Sequence, residues 1–135
     1  MTRHPVVTEV VRRDPRYAYE AYEFLYRALR FTQEQLGIKA TDERSGDDPT
    51  HHVTGKQLLS GVKDLAHQEY GRMARIVFKS WGIEQTVDFG NMVFNLVEAG
   101  LMFRRPEDSL ADFQNVYDMD EALVHKYEIR MEDAE

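Results

Sequence analysis

Between Thr54 and Leu101 apolar residues recur at three- and four-residue steps, and glycine interrupts the pattern at Gly71, Gly82 and Gly100. That punctuation leaves few options beyond a series of amphipathic helices, each ending where a residue without a Cβ lets the chain turn. Thr54-Gly-Lys-Gln57 fits a capping box, and Leu58, Val62, Leu65, Ala66 and Glu69 follow on one face. The spacing therefore predicts a helix over 54–70, a shorter one over 72–81 that buries Met73, Ile76, Val77 and Trp81, and a third over 86–99. Gly82-Ile83 and Gly100-Leu101 fit the glycine-plus-apolar helix stop. Thr86 is the expected cap of the third helix, Asp88 suits the positive end of its dipole, and Phe89, Val93, Leu96 and Val97 line its stripe.

Upstream, Ala21, Leu25, Ala28, Leu29, Thr32 and Leu36 predict a long helix near 17–36, opened by the Asp14-Pro15 turn signal and closed by Gly37. Val6, Val7, Val10 and Val11 predict a short helix before it, ending at Arg13. Residues 39–52 have no apolar period and read as a mobile loop, and 132–135 read as a disordered tail. Ser109 is the expected cap of a short helix through Val116. Leu101-Met102-Phe103 and the alternation of His125, Tyr127, Ile129 and Met131 with charged residues predict two short strands that pair as a ribbon. The expected fold is mainly α with an α+β finish: a single domain over 1–135, five to six helices, a winged-helix-like three-helix core and a small C-terminal two-stranded ribbon.

Charge narrows the functions. Residues 1–103 hold 13 Lys/Arg against 14 Asp/Glu, whereas residues 104–135 hold 4 against 10, so the net charge of −7 belongs mostly to the C-terminal quarter. Such a field repels phosphate backbones and disfavours nucleic acid as a partner. The absence of cysteine excludes disulfides and thiolate chemistry. No uncharged apolar run approaches the roughly 20 residues of a membrane span, and the N-terminus lacks a signal-peptide pattern, so the expectation is a cytoplasmic protein that does not enter membranes.

The motifs are weighed against plainer readings. Asp88-Phe89-Gly90 matches a kinase tripeptide, but no Gly-rich loop, strand lysine or His-Arg-Asp accompanies it. The segment from Ile83 to Phe103, where a winged helix would read DNA, carries Glu84, Asp88 and Glu98 and no Lys or Arg. A basic stripe of Arg72, Arg75 and Lys79 could meet an anionic partner or nucleic acid, against the plainer reading of a solvated helix face. Asp47, Asp48, His51 and His52 are metal-ligand types, but no third fixed ligand is in view, so no metal and no cofactor is expected. No constellation of catalytic residues emerges, which leans the reading away from an enzyme. On the 17–36 helix, Tyr17, Phe24 and Phe31 share one face and Tyr19, Tyr22 and Tyr26 another. A second tyrosine face suits a protein interface, with Met92 and Phe94 as further candidates; the alternative is a central helix packed on both sides.

The segments DPRYAYEAYEFLYRALRFTQEQLG, HVTGKQLLSGVKDLAHQEYGRMARIVFKSWGI, TVDFGNMVFNLVEAGLM and EDSLADFQNVYDMDEAL resemble the conserved hypothetical proteins shared by Planctomycetes and Verrucomicrobia. The resemblance implies a small bacterial cytoplasmic protein, complete in itself, and brings no activity or catalytic residue with it. The leading expectation is a non-enzymatic protein-interaction or regulatory module that binds a protein partner or its own copies through Tyr19, Tyr22, Tyr26, Met92 and Phe94. The second is a winged-helix DNA-binding regulator.

Overall fold

The computed structural model describes residues 4–37, 53–102 and 108–125. They form five α-helices: α1 Pro5–Arg13, α2 Tyr19–Gln35, α3 Gly55–Tyr70, α4 Ala74–Ser80 and α5 Thr86–Glu98. Short 3-10 turns at Gly71–Met73 and Leu110–Phe113, and a π turn at Glu121–His125, complete the order. The mainly helical expectation holds. No strand occurs among the described residues; Leu101 and Met102 lie in a bend and His125 in the π turn, and the rest of the expected ribbon falls outside the described residues, as do residues 39–52 and 132–135.

The helix ends follow local chemistry. The Thr54 hydroxyl accepts from the Gln57 amide at 3.1 Å while the Gln57 side chain accepts from the Thr54 amide at 2.9 Å, the reciprocal box that starts α3. Ile83 N–H donates to Phe78 O at 2.9 Å and Gly82 N–H to Lys79 O at 3.0 Å, closing α4; Leu101 to Leu96 O and Gly100 to Val97 O close α5 in the same way. One cap differs from expectation. Asp88 accepts from the Glu84 and Gln85 amides at 2.8 and 2.9 Å, so α5 is capped from Gln85 and not by Thr86. The Thr86 hydroxyl is buried and donates to Phe113 O at 2.5 Å, because the 110–116 segment folds back over the start of α5. The short helix expected through Val116 stops at Phe113, and Asn115 sits at φ 51°, a conformation that cannot continue a helix.

The core is built on α2, which packs against α3 and α1. Tyr17, Tyr22, Phe24, Leu25, Leu59, Val62, Phe78, Ile83, Phe89, Met92 and Leu96 are its large members. Its aromatic centre is Phe78, whose ring lies 5.3 Å from Phe24, 5.4 Å from Phe89 and 5.9 Å from Trp81. Two ties fasten the C-terminal part to α3: Tyr117 O–H donates to Leu59 O at 2.8 Å, and the His67 Nε2 lies 2.8 Å from Ala122 O. Gly90 is structural rather than merely tolerated, since a Cβ there would meet the Phe113 ring at 2.7 Å and Leu110 at 2.9 Å.

Candidate functional site

The register of α4 departs most from the sequence pattern, and it creates a surface. Spacing predicts Met73 and Ile76 in the core; in the structure they are 55% and 59% exposed, and the buried residues are Ala74 and Phe78, with Trp81 half-buried. The cause is long-range. Gly71 leaves α3 at φ 53° into a 3-10 turn, which re-phases the following helix so that Phe78 and Trp81 join Phe24, Tyr70 and Phe89. Met73 and Ile76 sit one turn apart on the opposite side, with exposed Arg72 and Lys79 flanking them. Arg75, the middle cation of the basic stripe, does not share that surface: it is 14% exposed, pairs with Asp120 at 2.8 Å and reaches Ile83 O at 3.4 Å. The stripe is therefore two cations separated by apolar side chains.

The aromatic candidates divide differently from the expectation. Tyr22 and Met92 have 0% exposure and Tyr19 is buried, so these three belong to the core; Tyr26 and Phe94 are half-buried. The reason is α1, which lies over the second tyrosine face of α2 with Val7 and Val10 turned inward. The cover is incomplete. His4, Val7, Tyr19, Tyr22, Glu23 and Tyr26 line an open cleft of about 330 Å³. On α2 these positions are i, i+3, i+4 and i+7, so the sequence does place Glu23 among the three tyrosines, although the reading of the aromatic face missed it. The tyrosine positions are fixed by hydrogen bonds: the Tyr19 hydroxyl accepts from the His4 amide at 2.6 Å, and the Tyr22 hydroxyl from Asn95 Nδ2 at 3.1 Å. The His4 imidazole caps α1 through Nδ1, which accepts from the Val6 and Val7 amides at 3.2 and 3.4 Å.

Behind the cleft a polar network joins the α1–α2 turn to α5. Arg16 grips Asp14 with two bonds of 2.8 and 2.7 Å, and Asn95 donates to the same carboxylate at 2.9 Å. The Arg16 bonds first, with the Asn95 amide in support, hold the Asp14 carboxyl down at about 2. Tyr17 donates to Asp88 Oδ1 at 2.7 Å and accepts from Asn91 at 2.9 Å; its burial pushes the phenol up to about 12. Both oxygens of Asp88 are thus engaged in capping α5 and holding Tyr17, Phe89 is in the core and Gly90 seats Phe113, so each residue of the Asp-Phe-Gly tripeptide has a structural role.

Among the described residues no group of three or more His, Asp or Glu side chains is placed to hold a metal ion, and the Asp47, Asp48, His51, His52 cluster lies outside them. Among the same residues no helix is long and apolar enough to cross a membrane. The chain matches no family model, no curated protein and no solved structure.

Proposed function

We propose that the protein is a non-enzymatic interaction module whose docking surface is the outer side of the Arg72–Lys79 segment, and that its partner presents an acidic, amphipathic segment of a protein. One observation carries the reading: Met73 and Ile76, two large apolar side chains one turn apart, stand more than half exposed between Arg72 and Lys79. Apolar anchors with cations at their edge fit a partner helix whose apolar face meets the pair and whose carboxylates meet the rim. The same arrangement argues against the winged-helix DNA-binding alternative. Arg75, the central cation, is bound to Asp120 and the exposed positions between Arg72 and Lys79 are apolar, which leaves fewer charges for phosphate contacts.

The reading is tested by placing a photo-crosslinking residue at Ile76, with one at the exposed Glu20 as control, in the living host. The expected product is a specific adduct with one protein through an acidic amphipathic segment, suppressed by Met73→Ser with Lys79→Glu at unchanged thermal stability. Adducts no stronger than at Glu20, adducts with a second copy of the chain, or adducts with nucleic acid would each overturn it.

A further inference from the structure

The cleft between α1 and α2 is independent of the α4 surface and has a chemistry of its own. Among its described lining residues three are tyrosines, Val7 adds an apolar wall, and Glu23 supplies a carboxylate. Among the described residues that line it there is no Lys or Arg. A purely apolar ligand would leave the carboxylate at the open side unused. A cation with an apolar coat satisfies both parts of the wall, because the negative faces of aromatic rings attract positive charge and the carboxylate completes the neutralisation.

The Glu23 carboxylate is reachable from solvent; Arg27 feels its charge but gives it no hydrogen bond. Its natural helical partner is Arg27 at i+4, yet Arg27 is drawn across to α3, where it pairs with Glu69 at 3.0 Å and meets the Tyr70 hydroxyl at 3.3 Å. Glu23 is exposed and makes no ion pair among the described residues. The tyrosines are pre-organised as well. Tyr22 is buried beneath the cleft with its hydroxyl held by Asn95, Tyr19 is largely buried and held by the His4 amide, and half-buried Tyr26 with exposed Glu23 forms the open side. Rings fixed before binding lose little entropy when a ligand arrives.

We propose that this cleft binds an alkylammonium group, its positive charge set against the tyrosines and balanced by Glu23. The group could be carried by a small molecule of the choline type or by a methylated lysine side chain, and the experiment separates the two. The full-length protein, labelled for NMR, is titrated with choline and with its neutral isostere 3,3-dimethylbutan-1-ol. In parallel it is titrated with a short peptide containing trimethyllysine and the same peptide with a tert-butyl-ended neutral analogue at that position.

Saturable shifts at Val7, Glu23 and Tyr26 are expected with an ammonium ligand, and binding about tenfold weaker with its neutral isostere. Tighter binding of the trimethyllysine peptide than of choline assigns the group to a protein side chain; the reverse order assigns it to a small molecule. Glu23→Gln, at an exposed position, should weaken ammonium binding several-fold and leave the neutral ligands unchanged. Tyr26→Phe should retain binding, while Tyr26→Ala should lose it. Equal affinity for charged and neutral isosteres, no saturable shift with either ammonium ligand, or shifts confined to other surfaces would overturn the proposal.

Discussion

The contact between α2 and α3 sets up a test of how closely the two helices are packed. Gly61 lies in the middle of α3, where alanine is ordinarily about 1 kcal/mol better than glycine. Here an alanine Cβ would stand 1.8 Å from the Thr32 hydroxyl and 3.1 Å from Thr32 Cβ. Thr32 is buried, and its hydroxyl donates to Ala28 O at 2.7 Å. Turning Thr32 aside either drives its γ-methyl into the same space or breaks that bond and leaves a buried hydroxyl unsatisfied, a cost of about 1–3 kcal/mol. Forcing α2 and α3 apart costs a similar amount through overpacking. Gly61→Ala should therefore lower stability by about 1–2 kcal/mol net of the propensity gain. Thr32→Ala removes the obstructing oxygen, so in that background Gly61→Ala should be neutral within about 0.5 kcal/mol. Urea denaturation followed by far-ultraviolet circular dichroism on the four proteins gives the coupling directly. A Gly61→Ala protein as stable as wild type, or a cycle that is additive, would refute the packing argument.

Three further outcomes are expected. Gly90→Ala, whose Cβ would meet the Phe113 ring at 2.7 Å, should destabilise by about 1–3 kcal/mol, and limited proteolysis should show the 108–116 segment opening first. For Asp14, with its carboxyl lowered from 3.8 to about 2, the stabilising contribution is complete above pH 4 and is lost as pH falls towards 2. The difference in urea midpoint between wild type and Asp14→Asn should shrink over that interval. Tyr17, raised from 10.0 to about 12, contributes stability that is intact below pH 10 and lost as pH rises towards 12. Tyr17→Phe strands Asp88 Oδ1 and the Asn91 amide, should cost about 1–2 kcal/mol near neutral pH, and should remove one late-titrating phenol from the absorbance at 295 nm.

What the sequence makes legible here is mostly local. Thr54 with Gln57, Gly82 with Ile83 and Gly100 with Leu101 satisfy their helix ends within a few residues, and α3, α4 and α5 begin and end close to where those signals lie. Partners far along the chain are not written that way. The place of Asp88 in the first turn of α5 can be read from its neighbours, but its bond to Tyr17 spans 71 residues. Gly61 and Gly90 look like tolerated helix glycines, because the side chains they make room for, Thr32 and Phe113, belong to other elements. The tyrosine face shows the same limit. Tyr19, Tyr22 and Tyr26 do share one side of α2, but whether that side is surface or core depends on α1 lying over it.

The register of α4 shows how a core choice becomes a surface property. Between Met73 and Trp81 apolar residues occupy Met73, Ala74, Ile76, Val77, Phe78 and Trp81, so a helix this short presents an apolar side in more than one direction and its own pattern cannot decide which turns inward. Burying an Ile side chain is worth about 1.5–3 kcal/mol. Phe78 brings at least comparable burial, and its pairs with Phe24, Phe89 and Trp81 each add about 0.5–1.5 kcal/mol beyond area. The aromatic cluster therefore wins the core, and Ile76 and Met73 are turned to water as a consequence. A single exposed apolar side chain needs no explanation, whereas an adjacent pair between two cations is the feature on which the proposed docking rests. The fold thus accounts for both halves of that surface: Phe78 turns its apolar pair outward, and the bond from Arg75 to Asp120 withdraws the middle cation of the stripe.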